Sequence, residues 1–232
     1  MRNLLLAHGS PHSAHAEQVN RLAEQVSNLL GHVVNVTFLD HAEIPNGARV
    51  LPLFLGEGKH VREDIPALMA QSDAIWLPSL SAHADALADM TMHHLASSFP
   101  DAAPIFVFYR PRHIAALSQA LSQKMTARGD TKHAVTALYG ADPTLSTLLQ
   151  DWQQQAIRPA VLQPMLLFAG HSLDALQQEN AQHGAALPIS SVLCDCEGFA
   201  PLIAQCFRAG GTQKNIATDT ETRYLKENWK PL

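Results

Sequence analysis

The chain alternates between two patterns of hydrophobic positions. Short continuous apolar runs such as "NLLLA" (3–7) are typical of parallel strands that are buried on both faces. Longer stretches, such as 13–30, repeat apolar residues at helical spacing. The predicted strands span 3–7, 33–39, 49–55, 73–80, 104–109, 133–139, 159–168 and 187–194. The predicted helices span 13–30, a segment beginning near 61, 85–98, 113–127, 142–155, a segment beginning near 172, and 199–208. Strands that alternate with helices indicate a parallel α/β fold.

Two successive sets of four strands predict two similar flavodoxin-like halves, each a four-stranded parallel sheet with flanking helices, with a cleft between them. The predicted division is residues 1–101, residues 102–210 and a polar C-terminal tail, 211–232. The motif "VLPLFLGEGKH" resembles "VLQPMLLFAGH", so His60 and His171 correspond. Matching "LLLAHGS" with "FVFYRP" assigns Arg110 to the position of His8. We therefore expect an internal duplication.

The two halves differ between their second and third strands. The second half has the predicted helix 142–155 there, whereas the first has only "DHAEIPNGA". A parallel connection usually needs a dozen or more residues. We therefore expect a missing helix and an open flank in the first half, which favours a homodimer.

Composition excludes several classes of function. The formal net charge is −5 and no basic block is present, so we expect no nucleic-acid partner. No apolar run reaches the roughly 18 residues of a membrane span, and the N-terminal run is too short for a signal peptide. We expect a cytoplasmic protein without membrane contact. The three cysteines form no disulfide framework, and Cys194 and Cys196 are predicted core residues.

Two of the 13 histidines stand where ligands bind in parallel sheets. His8 ends the first strand and His60 follows the third, and for a strand order of 2-1-3-4 the ligand crevice opens between those two strands. We expect the two side chains to face each other there. Imidazole both accepts protons near neutral pH and binds Co²⁺, Fe²⁺ or Ni²⁺. Two histidines are an incomplete ligand set, which leaves room for a substrate that takes the metal away.

The motifs "LLLAHGS", "VLPLFLGEGKHVREDIP" and "SLSAHADAL" resemble, in this order, the class II tetrapyrrole chelatases of the CbiX and sirohydrochlorin chelatase type, in their two-domain form. The resemblance implies insertion of Co²⁺ or Fe²⁺, and in some relatives Ni²⁺, into sirohydrochlorin or a related tetrapyrrole without a nucleotide, in cobalamin or siroheme biosynthesis. It implies that His8 and His60 bind the metal and that His8 also accepts a proton. The substrate contacts it implies are Glu43, Leu55, Gly56, Glu57, Gly58 and Lys59.

Some residues depart from this pattern or add to it. Pro11 and His12 follow "HGS", where the family usually has arginine, and Ile44 is an extra residue. Lys59, Arg110 and Arg112 are candidate cations for a substrate rich in carboxylates. His83 and His171 are candidates to line the cleft, whereas His12 and His15 are predicted at an exposed helix start.

Two alternatives to a chelatase follow from the same residues. The first is a non-catalytic carrier of metal or tetrapyrrole, which the missing helix and the altered "HGSP" context favour. The second is a histidine phosphatase, which is disfavoured because no arginine stands beside His8 to hold phosphate.

Overall fold

The computed structural model describes residues 2–56, 58–110, 115–129, 133–154, 159–183 and 186–209. Arg112, Glu57 and the predicted tail 211–232 lie outside these ranges. The strands are β1 (Asn3–Ala7), β2 (Val34–Phe38), β3 (Arg49–Pro52), β4 (Ile75–Trp76), β5 (Ala103–Phe108), β6 (Ala134–Ala137) and β7 (Ala160–Pro164). The helices are α1 (Ser13–Leu30), α2 (Ile65–Met69), α3 (Ala84–Ser98), α4 (Ala115–Ala127), α5 (Leu145–Gln154), α6 (His171–Ala181) and α7 (Phe199–Ala209).

The described strands form two parallel sheets with helices around them. The first sheet has the order β2-β1-β3-β4, which is the order expected for the first half. The second has the order β6-β5-β7, so its central strand is again the first of its half. The predicted α/β class is confirmed.

The predicted fourth strand of the second half is reduced to one parallel bridge, between Leu162 and Ile189. The N–H of Leu162 donates to the carbonyl oxygen of Pro188, and the N–H of Ser190 donates to the carbonyl oxygen of Leu162. The next donor along β7 would be Pro164, which has no N–H. The backbone ladder therefore stops, and the side chain of Gln163 donates to the carbonyl of Ser191 instead.

A proline in β3 and a proline in β7 align the residues of the two halves. Pro52 pairs with Leu6 on β1, and Pro164 pairs with Val107 on β5. If Leu6 corresponds to Val107, the residue that corresponds to His8 is Tyr109. The predicted assignment of Arg110 to that position is therefore wrong by one residue, because similarity of the motifs does not fix the register of the strands.

The described segment between β2 and β3 lacks a full helix, as predicted for the first half. Between β2 and β3 the chain makes only a short 3₁₀ turn, Leu39–His41, whereas α5 separates β6 from β7. Leu39, Ala42 and Ile44 pack against this face of the first sheet, beside buried Leu4 and Leu6. The connecting segment thus replaces part of the helix.

The two halves share one large hydrophobic core. It contains buried residues of both sheets, and α7 packs on α1 and α3 of the first half. Buried Gln18 joins the halves: its side-chain carbonyl accepts from the N–H of Ala169, and its amide donates to Asp195. The predicted division at residue 101 stays a prediction. In the described ranges, no helix has both the length and the hydropathy needed to cross a membrane.

Candidate functional site

His8 and His60 lie at the carboxyl edge of the first sheet. His8 directly follows β1, and His60 begins a π-helical turn, His60–Asp64, that leads into α2. In this turn the N–H of Ile65 bonds to the carbonyl of His60, five residues earlier. Such turns occur often at functional sites. The fold thus places both side chains at the predicted crevice between β1 and β3.

The two imidazoles meet through their Nε2 atoms. The distance from Nε2 of His8 to Nε2 of His60 is 3.0 Å. The ring centroids are 4.5 Å apart and the ring planes meet at 71°. Two nitrogens bound to one metal at about 2.1 Å each would be roughly 3.0–3.4 Å apart for angles between 90° and tetrahedral. The observed separation therefore suits a shared cation.

The other ring nitrogen of each histidine faces an oxygen. Nδ1 of His60 lies 2.6 Å from Oδ2 of Asp64, and Nδ1 of His8 contacts the carbonyl oxygen of Gly9. An oxygen acceptor at Nδ1 assigns the proton to that atom and leaves a lone pair on Nε2. Two such lone pairs at 3.0 Å would repel each other, so this arrangement calls for a proton or a cation between them.

A cavity of about 730 Å³ opens in front of the histidine pair, within the size range of small-molecule sites. The first half contributes His8, Phe54 and Lys59 to its walls, and the second contributes Arg110 and Phe168. Among the described lining residues there are lysine and arginine side chains but no aspartate or glutamate. Such a cavity favours a partly apolar anion.

The structure brings most of the predicted substrate contacts to this cavity. Leu55, Gly56, Gly58 and Lys59 line it, whereas Glu57 lies outside the described residues. Glu43 is not part of this cavity. It lies along a separate one of about 570 Å³ on the open flank. Ala42 and Ile44 pack on the sheet, so the residue between them is exposed.

Two residues near the histidines were not predicted from the sequence. Asp64 is one; its four-residue spacing from His60 in "HVRED" was a usable signal. Asp40 is the other. A side chain at Gly9 would overlap the carboxylate of Asp40, which therefore lies against the backbone that follows His8. No local sequence signal distinguishes Asp40 from Glu43, and only the path of the chain after β2 decides between them.

Further histidines lie around the cavity. His15 lines it, with its ring centroid 5.0 Å from that of Phe168. Burial, and then the nearby His8 and His12, lower the pKa of His15. His171 lines the cavity as expected, and His12 Nε2 lies 3.6 Å from Oδ2 of Asp174. His83 is not among the described lining residues.

The described residues contain no group of three or more histidine, cysteine, aspartate or glutamate side chains suited to hold a metal. The cysteines lie in the core as free thiols. Burial raises the pKa of Cys196 to about 12 and that of Cys206 to about 11, so both are protonated thiols near neutral pH when no metal is bound.

Comparison with protein families agrees with the resemblance seen in the motifs. Residues 2–88 match the model of the CbiX family, so the predicted resemblance to CbiX-type chelatases is confirmed. A comparison with curated protein sequences finds no match.

Solved chelatase structures share the fold over 90% or more of this chain. SirB from Bacillus subtilis with Fe³⁺ matches with a TM-score of 0.70 and 13% identity, over 90% of this chain and 94% of that one. CbiX, described as the terminal enzyme of siroheme biosynthesis in denitrifying bacteria, matches with a TM-score of 0.64 and 21% identity, over 91% and 100%. SirB from Bacillus subtilis subspecies spizizenii in complex with cobalt gives 0.61 and 16%, over 98% and 96%. At these identities the likeness shows the fold.

Proposed function

We propose that this protein inserts a divalent metal, Co²⁺ or Fe²⁺ with Ni²⁺ as a further candidate, into sirohydrochlorin or a related tetrapyrrole without a nucleotide. The observation that carries the proposal is the pair of Nε2 atoms 3.0 Å apart at the wall of a cavity that both halves line. The match of residues 2–88 to the CbiX family and the chelatase fold support it. The pathway in this proposal is siroheme or cobalamin biosynthesis.

The reaction exchanges one metal ion for two protons. The metal substrate binds first to Nε2 of His8 and His60, while Asp64 and the carbonyl of Gly9 keep the opposite ring nitrogens protonated. The macrocycle enters the cavity with two N–H groups facing the metal. As each metal–imidazole bond breaks, the Nε2 lone pair becomes free to accept a pyrrole proton. His8 and His60 thus each exchange a metal bond for a proton, and the two protons pass to water.

An absorbance assay tests the proposal. Sirohydrochlorin is mixed with Co²⁺, and separately with Fe²⁺, without protein, with the wild type and with His8→Ala or His60→Ala. We expect the wild type to accelerate the spectral change of metallation and each variant to lose at least about a hundredfold of that rate. Exposed His93 on α3 gives the matched control, His93→Ala, which should keep the full rate. Full activity in either histidine variant would refute the roles assigned here.

The second candidate is a carrier that binds metal or tetrapyrrole without inserting the metal. The open flank between β2 and β3 favours it, because this part of the first half lacks the helix that α5 supplies in the second. Binding of sirohydrochlorin or Co²⁺ with no acceleration of metallation would select this alternative. The homodimer and the cytoplasmic location stay predictions.

A further inference from the structure

We propose that Arg110, supported by the rings of Tyr109 and Tyr139, binds a peripheral carboxylate of the macrocycle and thereby orients it toward the histidine pair. This inference rests on the proposed function, since it names the substrate contact that the second half supplies. It assigns Arg110 a role in substrate binding and none in the exchange of metal for protons.

The arginine lies on two aromatic rings. Its guanidinium carbon is 5.3 Å from the ring centroid of Tyr109 and 6.0 Å from that of Tyr139. The two rings contact each other edge to face, with centroids 5.3 Å apart and planes at 75°. Their backbones remain paired beyond the strands, because the N–H of Tyr139 donates to the carbonyl of Tyr109. Neighbouring strands of one sheet therefore fix the platform under the guanidinium.

These rings are exposed although they are large and aromatic. Tyr109 is 47% exposed and Tyr139 is 45% exposed. A stacked guanidinium keeps its N–H groups at the edge of the plane, where they remain available to an acceptor. The exposed Arg110 thus presents its N–H donors to the cavity from a position beside the two rings.

The guanidinium lacks a carboxylate partner within the part of the chain that the structure describes, since no ion pair there includes Arg110. The described walls of the cavity carry no aspartate or glutamate either, but Arg110 and Lys59 both belong to them. An arginine pairs with a carboxylate through two parallel N–H···O bonds. The acid side chains of sirohydrochlorin would supply that missing partner.

The strand register adds an independent argument. Tyr109 occupies in the second half the place that His8 occupies in the first, as the pairing of Pro52 and Pro164 shows. Residues at this position follow the central strand and face the crevice. One half thus presents metal ligands there, and the other presents an aromatic residue followed by a cation. The corresponding position thus holds a proposed metal ligand in the first half and, in the second, a tyrosine that supports the substrate-anchoring Arg110.

Binding of metal-free sirohydrochlorin, followed by its fluorescence, tests this inference without metallation. Arg110→Gln should weaken binding about tenfold to a hundredfold, as expected for a lost charge-assisted contact. Arg110→Lys should give an intermediate loss, because lysine keeps the charge but not the planar pair of donors. Arg128→Gln is the matched control: exposed Arg128 is not among the described lining residues, and its loss should change binding by less than twofold.

The methyl ester of the macrocycle separates a carboxylate contact from a general effect. Wild type and Arg110→Gln should bind the ester equally, because it carries no charge for the guanidinium. Equal binding of the free acid by wild type and Arg110→Gln would overturn the inference, and so would the same loss for acid and ester. If the wild type binds sirohydrochlorin through Arg110 but never inserts a metal, the proposed function fails while this contact stands.

Discussion

Nε2 of His8 lies 3.0 Å from Nε2 of His60, although 52 positions separate the two residues in the chain. β1 and β3 are adjacent parallel strands, so the residues that follow them meet at one edge of the sheet. Oxygen acceptors at both Nδ1 atoms leave the facing Nε2 atoms suited to share a proton or a cation. The proposed metal binding therefore depends on the two oxygen acceptors, from Asp64 and Gly9, as much as on the two histidines.

Asp64→Asn should weaken metal binding. Asp64 is a positioning residue: its carboxylate, 2.6 Å from Nδ1 of His60, fixes the tautomer in which Nε2 is free. Replacing such a partner typically costs tenfold to a hundredfold in metal affinity, so the Kd for Co²⁺ should rise by about that factor. Titration of Co²⁺ absorbance measures it.

Glu63→Gln is the matched control for that variant, since exposed Glu63 belongs to the same turn and makes no described contact with His60. In Asp64→Asn the pH dependence of Co²⁺ binding should also change, whereas a purely structural effect would leave its shape unaltered. An unchanged Kd in Asp64→Asn would contradict the role of the carboxylate.

Gln18→Leu should destabilise the protein. The buried amide accepts from Ala169 at 2.6 Å and donates to Asp195 at 2.7 Å, so leucine would leave the N–H of Ala169 without a partner. The expected loss in the free energy of unfolding is about 2–3 kcal/mol. Urea denaturation measures it. Gln25→Leu, at an exposed position of the same helix, should stay within about 0.5 kcal/mol of the wild type; a similar loss in both variants would argue against the bridge.

His83→Gln should reduce the loss of stability in mild acid. Burial lowers the pKa of His83, so the folded state favours the neutral ring. The unfolded chain takes up a proton below about pH 6.5. This contribution to stability is therefore present above that pH and is lost as the pH falls toward the lowered pKa.

The measurement is the free energy of unfolding from urea titrations between pH 7.5 and pH 5, expressed as a slope against pH. The slope should be shallower in His83→Gln than in the wild type. The control Ser97→Gln changes an exposed position of α3 without removing a titratable group and should keep the wild-type slope. Parallel slopes for wild type and His83→Gln would disprove this effect of burial.

The three cysteines should be unreactive in the folded protein at pH 8. Burial raises the pKa of the Cys196 thiol to about 12 and of the Cys206 thiol to about 11, and it raises that of Cys194 further. The unfolded thiols ionise near pH 8.5. The contribution of the buried thiols to the free energy of unfolding is therefore fully present below that pH, and it declines as the pH rises through their pKa values in the folded protein. A thiol reagent that gives a coloured product should react only after denaturation. Rapid labelling of the native protein would contradict the buried placement.

The sequence predicts the elements that the strand pattern controls. Continuous apolar runs identify the parallel strands, and the rule that ligands bind at their carboxyl ends leads directly to His8 and His60. The positions of residues in the long connections between strands are harder to predict from the sequence. Glu43 lies on the open flank because Ala42 and Ile44 cover the sheet there, and the sequence pattern does not show that packing.

The strand register and the hydrogen bonds explain the other differences between the sequence-based predictions and the structure. Tyr109 rather than Arg110 matches His8, because the register of the strands, and not the similarity of the motifs, aligns the halves. The last predicted strand shrinks to a bridge because Pro164 lacks the N–H that would extend the ladder. Asp64 was accessible to sequence reasoning through its spacing from His60, whereas the stacking of Arg110 on two tyrosines depends on the pairing of β5 with β6.

The most direct test is a single-turnover transfer of metal. Protein loaded with one equivalent of Co²⁺ is mixed without oxygen with one equivalent of sirohydrochlorin, and absorbance follows the loss of protein-bound Co²⁺ and the gain of cobalt-sirohydrochlorin. Both signals should change together in the wild type and in His93→Ala, whereas His8→Ala and His60→Ala should bind Co²⁺ weakly and transfer none above the rate without protein. Transfer at the wild-type rate in either variant would contradict the central claim that these two imidazoles hold the metal and exchange it for protons.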